Sequence, residues 1–225
     1  MSRQVRTWLR DNRWFFAFVL LFGVFRTAVA DWNPIPSASM HPNLLEGDVV
    51  FVNRLAFDVK VPLTDAIVAH TGEPRRGDIV TFSSPEDGTR LIKRVIGLPG
   101  DTIEMRGKRL LVNGEAADYE NLGLSDEPLA AHGVKALHLE EGTADNRHEI
   151  QWLAQRALRD DFGPIVVPAD HYLMLGDNRD NSMDSRFFGL VSRELLIGRA
   201  ERILVSADYK GSWAPRFDRF GKSLY

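Results

Sequence analysis

Apolar residues follow two different patterns along the chain. Near the N-terminus, residues 14–25 form an uninterrupted apolar run, WFFAFVLLFGVF. Further on, apolar residues come in short runs rich in β-branched and large side chains, bounded by Gly, Pro and Asp. The clearest of these are residues 48–53, 78–82 and 171–175. The pattern predicts a mostly β domain that follows one N-terminal helix.

The apolar N-terminal run has two interpretations. Four arginines and one aspartate precede it, a net charge of +3, and such a flank stays in the cytoplasm. Its short length and the small residues 28–30 suit a signal peptide that is removed after Ala30. The longer stretch 14–32 has a tryptophan at each end, and only Arg26 and Asp31 in it are charged. That stretch suits a retained transmembrane anchor, because Arg26 lies near one end and its stem can reach the interface.

Composition and charge exclude several classes of function. The 225 residues have a formal net charge of −3, and the cations are scattered, so the chain lacks the basic patch of a nucleic-acid-binding protein. There is no cysteine, which excludes disulfides, thiolate metal sites and a cysteine nucleophile. The G-x-S-x-G, S-x-x-K and H-E-x-x-H motifs and the P-loop are also missing. A nucleophile in this chain must be an oxygen or an amine.

Turn signals and composition suggest how the β region is divided. Gly-Asp pairs and the hairpin signal Asn113-Gly114 separate the predicted strands. Residues 115–161 are polar and acidic, which indicates an insertion, and we expect a smaller lobe at about 105–170. Within it, residues 148–158 fit either a helical stripe or an alternating strand. Residues 213–222 mix aromatic and cationic side chains, which suits lipid headgroups or an ordinary packed tail.

Two residues are candidates for catalysis. Ser39 lies in the segment PSASMHP, residues 36–42, just past the apolar N-terminal stretch. The Asn-Pro-Ile-Pro sequence before it prefers extended backbone, so we expect Ser39 to lie close to the membrane surface. Lys93 lies in the apolar segment LIKRVI, residues 91–96. A serine and a lysine can together cleave peptide bonds if the lysine is neutral.

The strand pattern around Lys93 provides a reason for it to be neutral. If residues 90–96 alternate as in a strand, Lys93 shares an apolar face with Leu91 and Val95, whereas Arg90 and Arg94 point to the other face. Desolvation on that face would lower the lysine pKa and make it a general base. The alternative is an ordinary lysine whose stem crosses the strand surface and whose ammonium reaches water.

Four segments together resemble bacterial type I signal peptidase (leader peptidase). Their residues, and the order of the segments along the chain, are similar to the motifs of that family. The similarity runs from about residue 26 to 198 and is weakest between about 105 and 162. The segments are residues 36–42, Gly47-Asp48, residues 93–101 (KRVIGLPGD) and residues 176–186 (GDNRDNSMDSR).

The resemblance implies a catalytic role for four of these residues. Ser39 corresponds to the family's nucleophile, and Lys93 to the base that takes its proton. The Ser39 backbone N–H and the Ser37 hydroxyl correspond to the donors of the oxyanion hole. Ser182 corresponds to the serine that orients the lysine. No cofactor and no metal are implied.

The acidic segment also contains residues that the resemblance places in support of the site. Asp184 and Arg186 look like the family's ion pair, and Asp177 and Asp180 are expected to hold the loop. A calcium loop is the alternative, because Asp180, Ser182 and Asp184 alternate as calcium ligands do. That motif fails at its sixth position, which is not Gly, and at its twelfth, which is not Glu.

The fold and function that the resemblance implies are those of a membrane-anchored serine endopeptidase. It would cleave signal peptides from exported preproteins that have small residues at the first and third positions before the cut. The expected domains are a cytoplasmic segment 1–13, an anchor 14–32 and a mostly β catalytic domain 33–225 on the extracytoplasmic, periplasmic side of the inner membrane. Its partners are the lipid bilayer and the preproteins. The resemblance also favours a strand over a helix at residues 148–153.

Two other classes of function compete with this interpretation. One is a secreted, non-catalytic β-rich binding module released after Ala30. The other is a self-cleaving regulator that uses a serine and a lysine and carries a DNA-binding module. The second needs a helix-turn-helix before Ser39, and the chain has no room for one there.

Overall fold

The computed structural model describes residues 7–8, 10–62, 64, 66–126, 134–154 and 159–225. Most of the regular structure in these residues is β, which confirms the predicted class. The two bounded α-helices are α1 (Arg13–Ala28) and α2 (Ser185–Phe188). The strands are β1 (Ala30–Pro34), β2 (Asp48–Asn53), β3 (Asp58–Lys60), β4 (Ile67–His70), β5 (Ile79–Ser83), β6 (Arg90–Gly97), β7 (Thr102–Arg106), β8 (Arg109–Val112), β9 (Glu115–Ala116), β10 (Asp118–Asp126), β11 (Lys135–Gly142), β12 (Arg147–Leu153), β13 (Phe162–Val166), β14 (His171–Leu175), β15 (Val191–Ser192) and β16 (Leu196–Ser206).

The local sequence signals for strands and turns are accurate. The runs 48–53 and 171–175 coincide with β2 and β14, and the run 78–82 is displaced by one residue from β5. Asn113 and Gly114 have φ angles of 55° and 84° and connect β8 to β9. Both angles lie in the left-handed region, which a two-residue hairpin turn of this type requires.

A seven-stranded sheet forms the main body, in the order β1-β2-β16-β5-β6-β14-β15. Side chains alternate across it, so Ile79 packs with one buried cluster and Val80 and Phe82 pack with another on the opposite face. The first cluster also contains Met40, the residue that follows Ser39. The turn that carries the serine is therefore fixed to the core by its neighbour.

The strands between Thr102 and Val166 lie outside the main sheet. They form a four-stranded sheet, β13-β7-β8-β9, and a three-stranded sheet, β10-β11-β12. A third buried cluster, which includes Ile96, Ile103 and Leu173, joins the four-stranded sheet to β6 and β14. Residues 147–153 form the strand β12, which decides between helix and strand for that segment. Residues 155–158 of the predicted stripe lie outside the described part of the chain.

The N-terminal helix is shorter than the predicted anchor. Helix α1 has 16 residues and ends at Ala28, whereas residues 30–32 belong to β1 and pair with β2. The prediction of a single helical span over residues 14–32 is therefore not supported, because the backbone of residues 30–32 pairs in the sheet. Within the described residues, no helix has the length and apolar character needed to cross a membrane. No residue of α1 is buried, and Leu21 is 67% exposed.

The C-terminal segment packs on the sheet, as one of the two interpretations predicts. The buried guanidinium of Arg219 donates to Asp48 Oδ1 over 3.0 Å, and the Tyr225 hydroxyl donates to the Ala200 carbonyl over 2.9 Å. Trp213 and Phe217 remain exposed.

Candidate active site

Ser39 and Lys93 meet in the structure although they are far apart in sequence. Ser39 lies in the short 3₁₀ turn Ala38–Met40, and Lys93 lies in the middle of β6. The Lys93 Nζ atom is 2.7 Å from Ser39 Oγ, within hydrogen-bonding distance, and it also donates to the Ile92 carbonyl over 3.0 Å. Both side chains are buried. The pair therefore has the geometry for proton transfer between the amine and the hydroxyl.

Burial makes the Lys93 ammonium a stronger acid than that of an ordinary lysine. Desolvation lowers its pKa from 10.5 to about 8, and the cation of Arg186 acts in the same direction. The carboxylates of Asp184 and Asp177 oppose this shift and raise the pKa. With a pKa of about 8, about one molecule in ten carries a neutral Lys93 amine at pH 7. In this fraction of the protein, an uncharged amine lies next to the serine hydroxyl.

The backbone around the serine is held by the loop that follows β14. The backbone N–H of Asn178 donates to the Ser39 carbonyl, and its side-chain amide donates to the Ala38 carbonyl, both over 3.1 Å. Ser37 has extended backbone, and its Oγ lies 3.4 Å from Ser39 Oγ. These contacts place the Ser37 hydroxyl on the same side of the turn as the Ser39 hydroxyl.

Ser182 enters the site, but it does not form a hydrogen bond to Lys93. It is 1% exposed, and its hydroxyl has no hydrogen-bond partner in the described residues. It lies against Gly176, where an added Cβ would be 2.2 Å from Ser182 Oγ and 2.5 Å from the Ser39 carbonyl oxygen. Only glycine at position 176 leaves room for this approach.

Asp184 and Arg186 form a buried ion pair with two parallel hydrogen bonds. Both distances, Arg186 Nε to Asp184 Oδ1 and Nη2 to Oδ2, are 2.8 Å. Asp184 also caps α2 and accepts the backbone N–H of Gly176 over 3.0 Å. The ion pair therefore ties the short helix to the segment that contacts the serine.

Asp177 and Asp180 hold the same loop through other partners. Asp177 binds Arg94 through two hydrogen bonds of 2.8 and 2.7 Å. Asp180 accepts from Lys108 over 2.9 Å and from the Leu153 backbone N–H over 2.8 Å. Each carboxylate thus has a cationic partner, which favours an ion-paired loop over a calcium loop.

Several residues of this network cannot be identified from the sequence pattern. Arg94 is expected on the face opposite Lys93, but it is 3% exposed rather than solvated, because Asp177 pairs with it. Arg179 forms a buried bidentate pair with Glu141 of β11, at 2.7 and 2.6 Å. Arg94 and Arg179 lie within the segments that carry the resemblance, but their partners are distant in sequence. Only the folded structure shows the pairing.

A groove lies beside the Ser39–Lys93 pair, between the end of β1 and the start of β6. Its cavity volume is about 170 Å³, and its walls are residues 33–36 and 90–92 with Thr81 between them. Residues 33–36 lead directly to Ser37 and Ser39, and residues 90–92 lead directly to Lys93. In both walls the chain therefore runs toward the Ser39–Lys93 pair.

Comparison with known proteins gives the family. The family model described as "Signal peptidase, peptidase S26" matches residues 6–205. Signal peptidase I of Pseudomonas fluorescens is 36% identical over 221 residues, which cover 92% of this chain and 76% of the relative. Signal peptidase I P of Bacillus subtilis subsp. natto is 36% identical over 193 residues, which cover 85% of each chain.

One solved structure gives a weaker match. The crystal structure of a signal peptidase I from Enterococcus faecalis V583 is 28% identical, covers 57% of this chain and 97% of that chain, and has a TM-score of 0.34, too low to support a conclusion about the fold. The family model covers most of the chain, and relatives at 36% identity extend over most of it as well. The chain therefore belongs to the signal peptidase family, peptidase S26, whose members are serine endopeptidases that cleave signal peptides.

Proposed function

We propose that Ser39 is the nucleophile of this peptidase and that Lys93 is its general base. The observation that carries the proposal is the 2.7 Å separation of Lys93 Nζ from Ser39 Oγ in a buried setting. The neutral amine accepts the serine proton as Oγ bonds to the scissile carbonyl carbon. The resulting ammonium then donates that proton to the departing amine, which leaves an acyl-Ser39 ester. Lys93 next takes a proton from water as the water oxygen bonds to the ester carbon. The bond from that carbon to Ser39 Oγ then breaks, the Lys93 ammonium returns its proton to Oγ, and the acid product leaves.

The negative charge of the tetrahedral intermediate needs donors beside the serine. We assign this role to the Ser39 backbone N–H and to the Ser37 hydroxyl. The N–H lies in the first turn of a helical segment, where backbone donors have no intrahelical acceptor. Ser37 Oγ lies 3.4 Å from the nucleophile. Donors of this kind stabilise the charge where it develops.

The remaining site residues are assigned positioning roles. The buried Ser182 hydroxyl has no partner within the described residues, and we propose that it orients the Lys93 amine. Asp184 and Arg186 fix the segment that contains Ser182. Asp177 and Asp180 attach the loop to β6 and β12 through Arg94 and the Leu153 N–H.

The proposed substrates are exported preproteins that have small residues at the first and third positions before the cut. A substrate in the groove would lie as an extended strand, parallel to both walls, with its scissile carbonyl at Ser39. Successive side chains of a strand point to opposite sides, so the first and third residues would enter the cavity together. A volume of about 170 Å³ suits small side chains.

We also propose that the enzyme works at a membrane, attached through α1. Its apolar side chains are exposed, for example Phe18 at 64% and Leu20 at 62%, and lipid would remove them from water. The proposal includes a crossing of the inner membrane within residues 14–32, with residues 1–13 on the cytoplasmic side, as their basic charge favours, and the domain from residue 33 onward on the periplasmic side. Ala30 and Asp31 are buried in β1, which favours retention of the N-terminal segment over its removal after Ala30.

A cleavage assay tests the proposal. Detergent-solubilised protein should cut a preprotein at its signal sequence, and Ser39→Ala should not. Cleavage by both proteins would refute Ser39 as the nucleophile, and cleavage by neither would favour a non-catalytic binding module. The appearance of two fragments of the chain itself would favour the self-cleaving regulator. Sequencing the mature N-terminus tests the attachment, since a start at Asp31 would exclude it.

A further inference from the structure

An arginine bridges the two walls of the groove at the end away from the catalytic pair. Arg90, the first residue of β6, donates from Nη1 to Asp31 Oδ2 over 2.8 Å and to Asn33 Oδ1 over 2.9 Å. Both acceptors belong to β1, on the opposite wall. The side chain is 47% exposed, and its other guanidinium N–H groups have no acceptor in the described part of the chain. The Arg90 bridge therefore closes this end of the groove, and its remaining guanidinium N–H groups can still donate hydrogen bonds.

The distance from this bridge to the catalytic pair sets which substrate residue it meets. Arg90 precedes Lys93 by three residues in β6, and a strand rises about 3.3 Å per residue, so the bridge lies about 10 Å from the lysine along the strand. A substrate strand parallel to β6 has the same rise. If its first residue before the cut lies beside Lys93, its fourth residue before the cut lies beside Arg90.

The ion pairs at this end leave an excess of positive charge. Asp31 is shared by two arginines, Arg90 at 2.8 Å and Arg26 of α1 at 3.3 Å. One carboxylate therefore faces two guanidinium groups. A basic substrate side chain at this point meets net repulsion, whereas a carboxylate or an amide oxygen finds unused donors.

We infer that Arg90, held by Asp31 and Asn33, is a specificity-determining residue that selects against a basic residue at the fourth substrate position before the cut and in favour of an acidic or polar one. The inference rests on the proposed function, because it requires a substrate strand in the groove. The effect acts on binding rather than on the chemical step, since Arg90 is remote from the reacting atoms. It should therefore change KM more than kcat.

The bridge can be removed without leaving a buried charge unpaired. In Arg90→Gln, Asp31 keeps its ion pair with Arg26 and its hydrogen bond from the Trp32 N–H at 2.9 Å. Arg90→Lys retains the charge, and Arg90→Glu reverses it. Arg109→Gln is a matched control, because Arg109 is an exposed arginine at the start of another strand, β8, in the separate four-stranded sheet.

The test uses three peptides that differ only at the fourth position before the cut, with Glu, Gln or Lys. For the wild type and for Arg109→Gln, kcat/KM should fall from Glu to Gln to Lys, by about two- to fivefold per step, and high salt should reduce the spread. Arg90→Lys should keep this order, Arg90→Gln should flatten it, and Arg90→Glu should reverse it. Urea unfolding of each variant verifies that it is folded.

The outcomes separate this inference from the proposed function. Cleavage that needs Ser39 but shows the same ranking in wild type and Arg90→Glu would overturn the role of Arg90 and leave the peptidase assignment intact. Absence of cleavage of all three peptides and of a preprotein by the wild type would overturn both.

Discussion

Lys93 and Arg94 are neighbours in β6 and are both buried, but they are in opposite electrostatic settings. Arg94 has a carboxylate partner, Asp177, at 2.7 Å, whereas Lys93 has no carboxylate within ion-pair distance in the described residues. Its nearest polar partner is the Ser39 hydroxyl. The fold therefore stabilises the charged form of Arg94 and disfavours the charged form of Lys93. The first setting suits a structural residue, and the second suits the proposed base.

The pH dependence of activity should report this setting. Because burial lowers the pKa of Lys93 to about 8, kcat/KM for a peptide should rise with pH and level off above an apparent pKa near 8. A pH–rate profile with a substrate that has no titratable group in this range measures it. Full activity at pH 6 would mean that the base is not this lysine.

Replacement of Lys93 by Met should inactivate the enzyme and leave it at least as stable at pH 7. The folded pKa of about 8 lies below the ordinary value of 10.5, so the unfolded chain binds more protons between these pH values, and stability rises with pH through that window. Below about pH 8 the buried lysine is charged, and this charge lowers the free energy of unfolding by about 3 kcal/mol, the equivalent of a pKa difference of about 2.5. Met removes the charge and retains the apolar stem.

Urea midpoints at pH 7 and pH 10 measure this effect. The stability advantage of Lys93→Met over wild type should be smaller at pH 10. Lys93→Arg is the comparison, because its guanidinium stays charged, and it should be inactive and less stable than the Met variant. A Met variant much less stable than wild type at pH 7 would identify Lys93 as a charged structural residue.

The two serines of the turn should differ in how much their loss costs. Ser39→Ala should abolish preprotein cleavage because the attacking oxygen is gone. Ser37→Ala should reduce kcat by about 100- to 1000-fold, since it removes one donor to the oxyanion and leaves the backbone donor. Single-turnover rates with a preprotein measure both variants. An unchanged rate for Ser37→Ala would exclude it from the oxyanion site.

Removal of a buried charge in the loop should cost more stability than removal of an exposed one. Asp177→Asn leaves the buried guanidinium of Arg94 without its ion pair and should lower the free energy of unfolding by about 3–5 kcal/mol. The control is Glu104→Gln, whose partner Arg106 is 70% exposed, and its cost should stay below about 1 kcal/mol. Equal urea midpoints for the two variants would contradict the structural role of Asp177.

Gly176→Ala should affect the site through its shape alone. The new Cβ would lie 2.5 Å from the Ser39 carbonyl oxygen, a backbone atom, so the loop or the serine turn has to move. A displacement of about 1 Å in a catalytic group can reduce kcat about 100-fold. Gly23→Ala is the control, because nothing lies within 4 Å of that position. Equal kcat for both variants would show that the loop has room to adjust.

Part of this site can be predicted from local sequence, because alternation and turn chemistry act over a few residues. The strand pattern places Lys93 on a buried face beside Val95, and the structure agrees. The pattern also puts Arg94 on the opposite face, but it cannot show that this face is buried. That outcome depends on Asp177, which is 83 residues away in sequence.

The extent of the N-terminal helix could not be predicted for a similar reason. The uninterrupted apolar run ends at residue 25, but the tryptophan at residue 32 and the few charges before it favour a helix over residues 14–32. The structure ends α1 at Ala28, because residues 30–34 hydrogen-bond to β2. A long-range strand pairing thus overrides a local preference.

Because Asn178 donates hydrogen bonds to Ala38 and Ser39, the site is complete only after a late part of the chain has been synthesised. The donor lies 140 residues after Ala38, and Ser182 and Asp184 follow it. A ribosome adds about 5–20 residues per second, so about 4–17 s pass between the synthesis of Lys93 and that of Asn178. During that interval the nascent chain has the proposed nucleophile and base but lacks the loop that holds the serine turn. On the proposed mechanism, a chain of incomplete length would be inactive, as a zymogen is before its propeptide is removed.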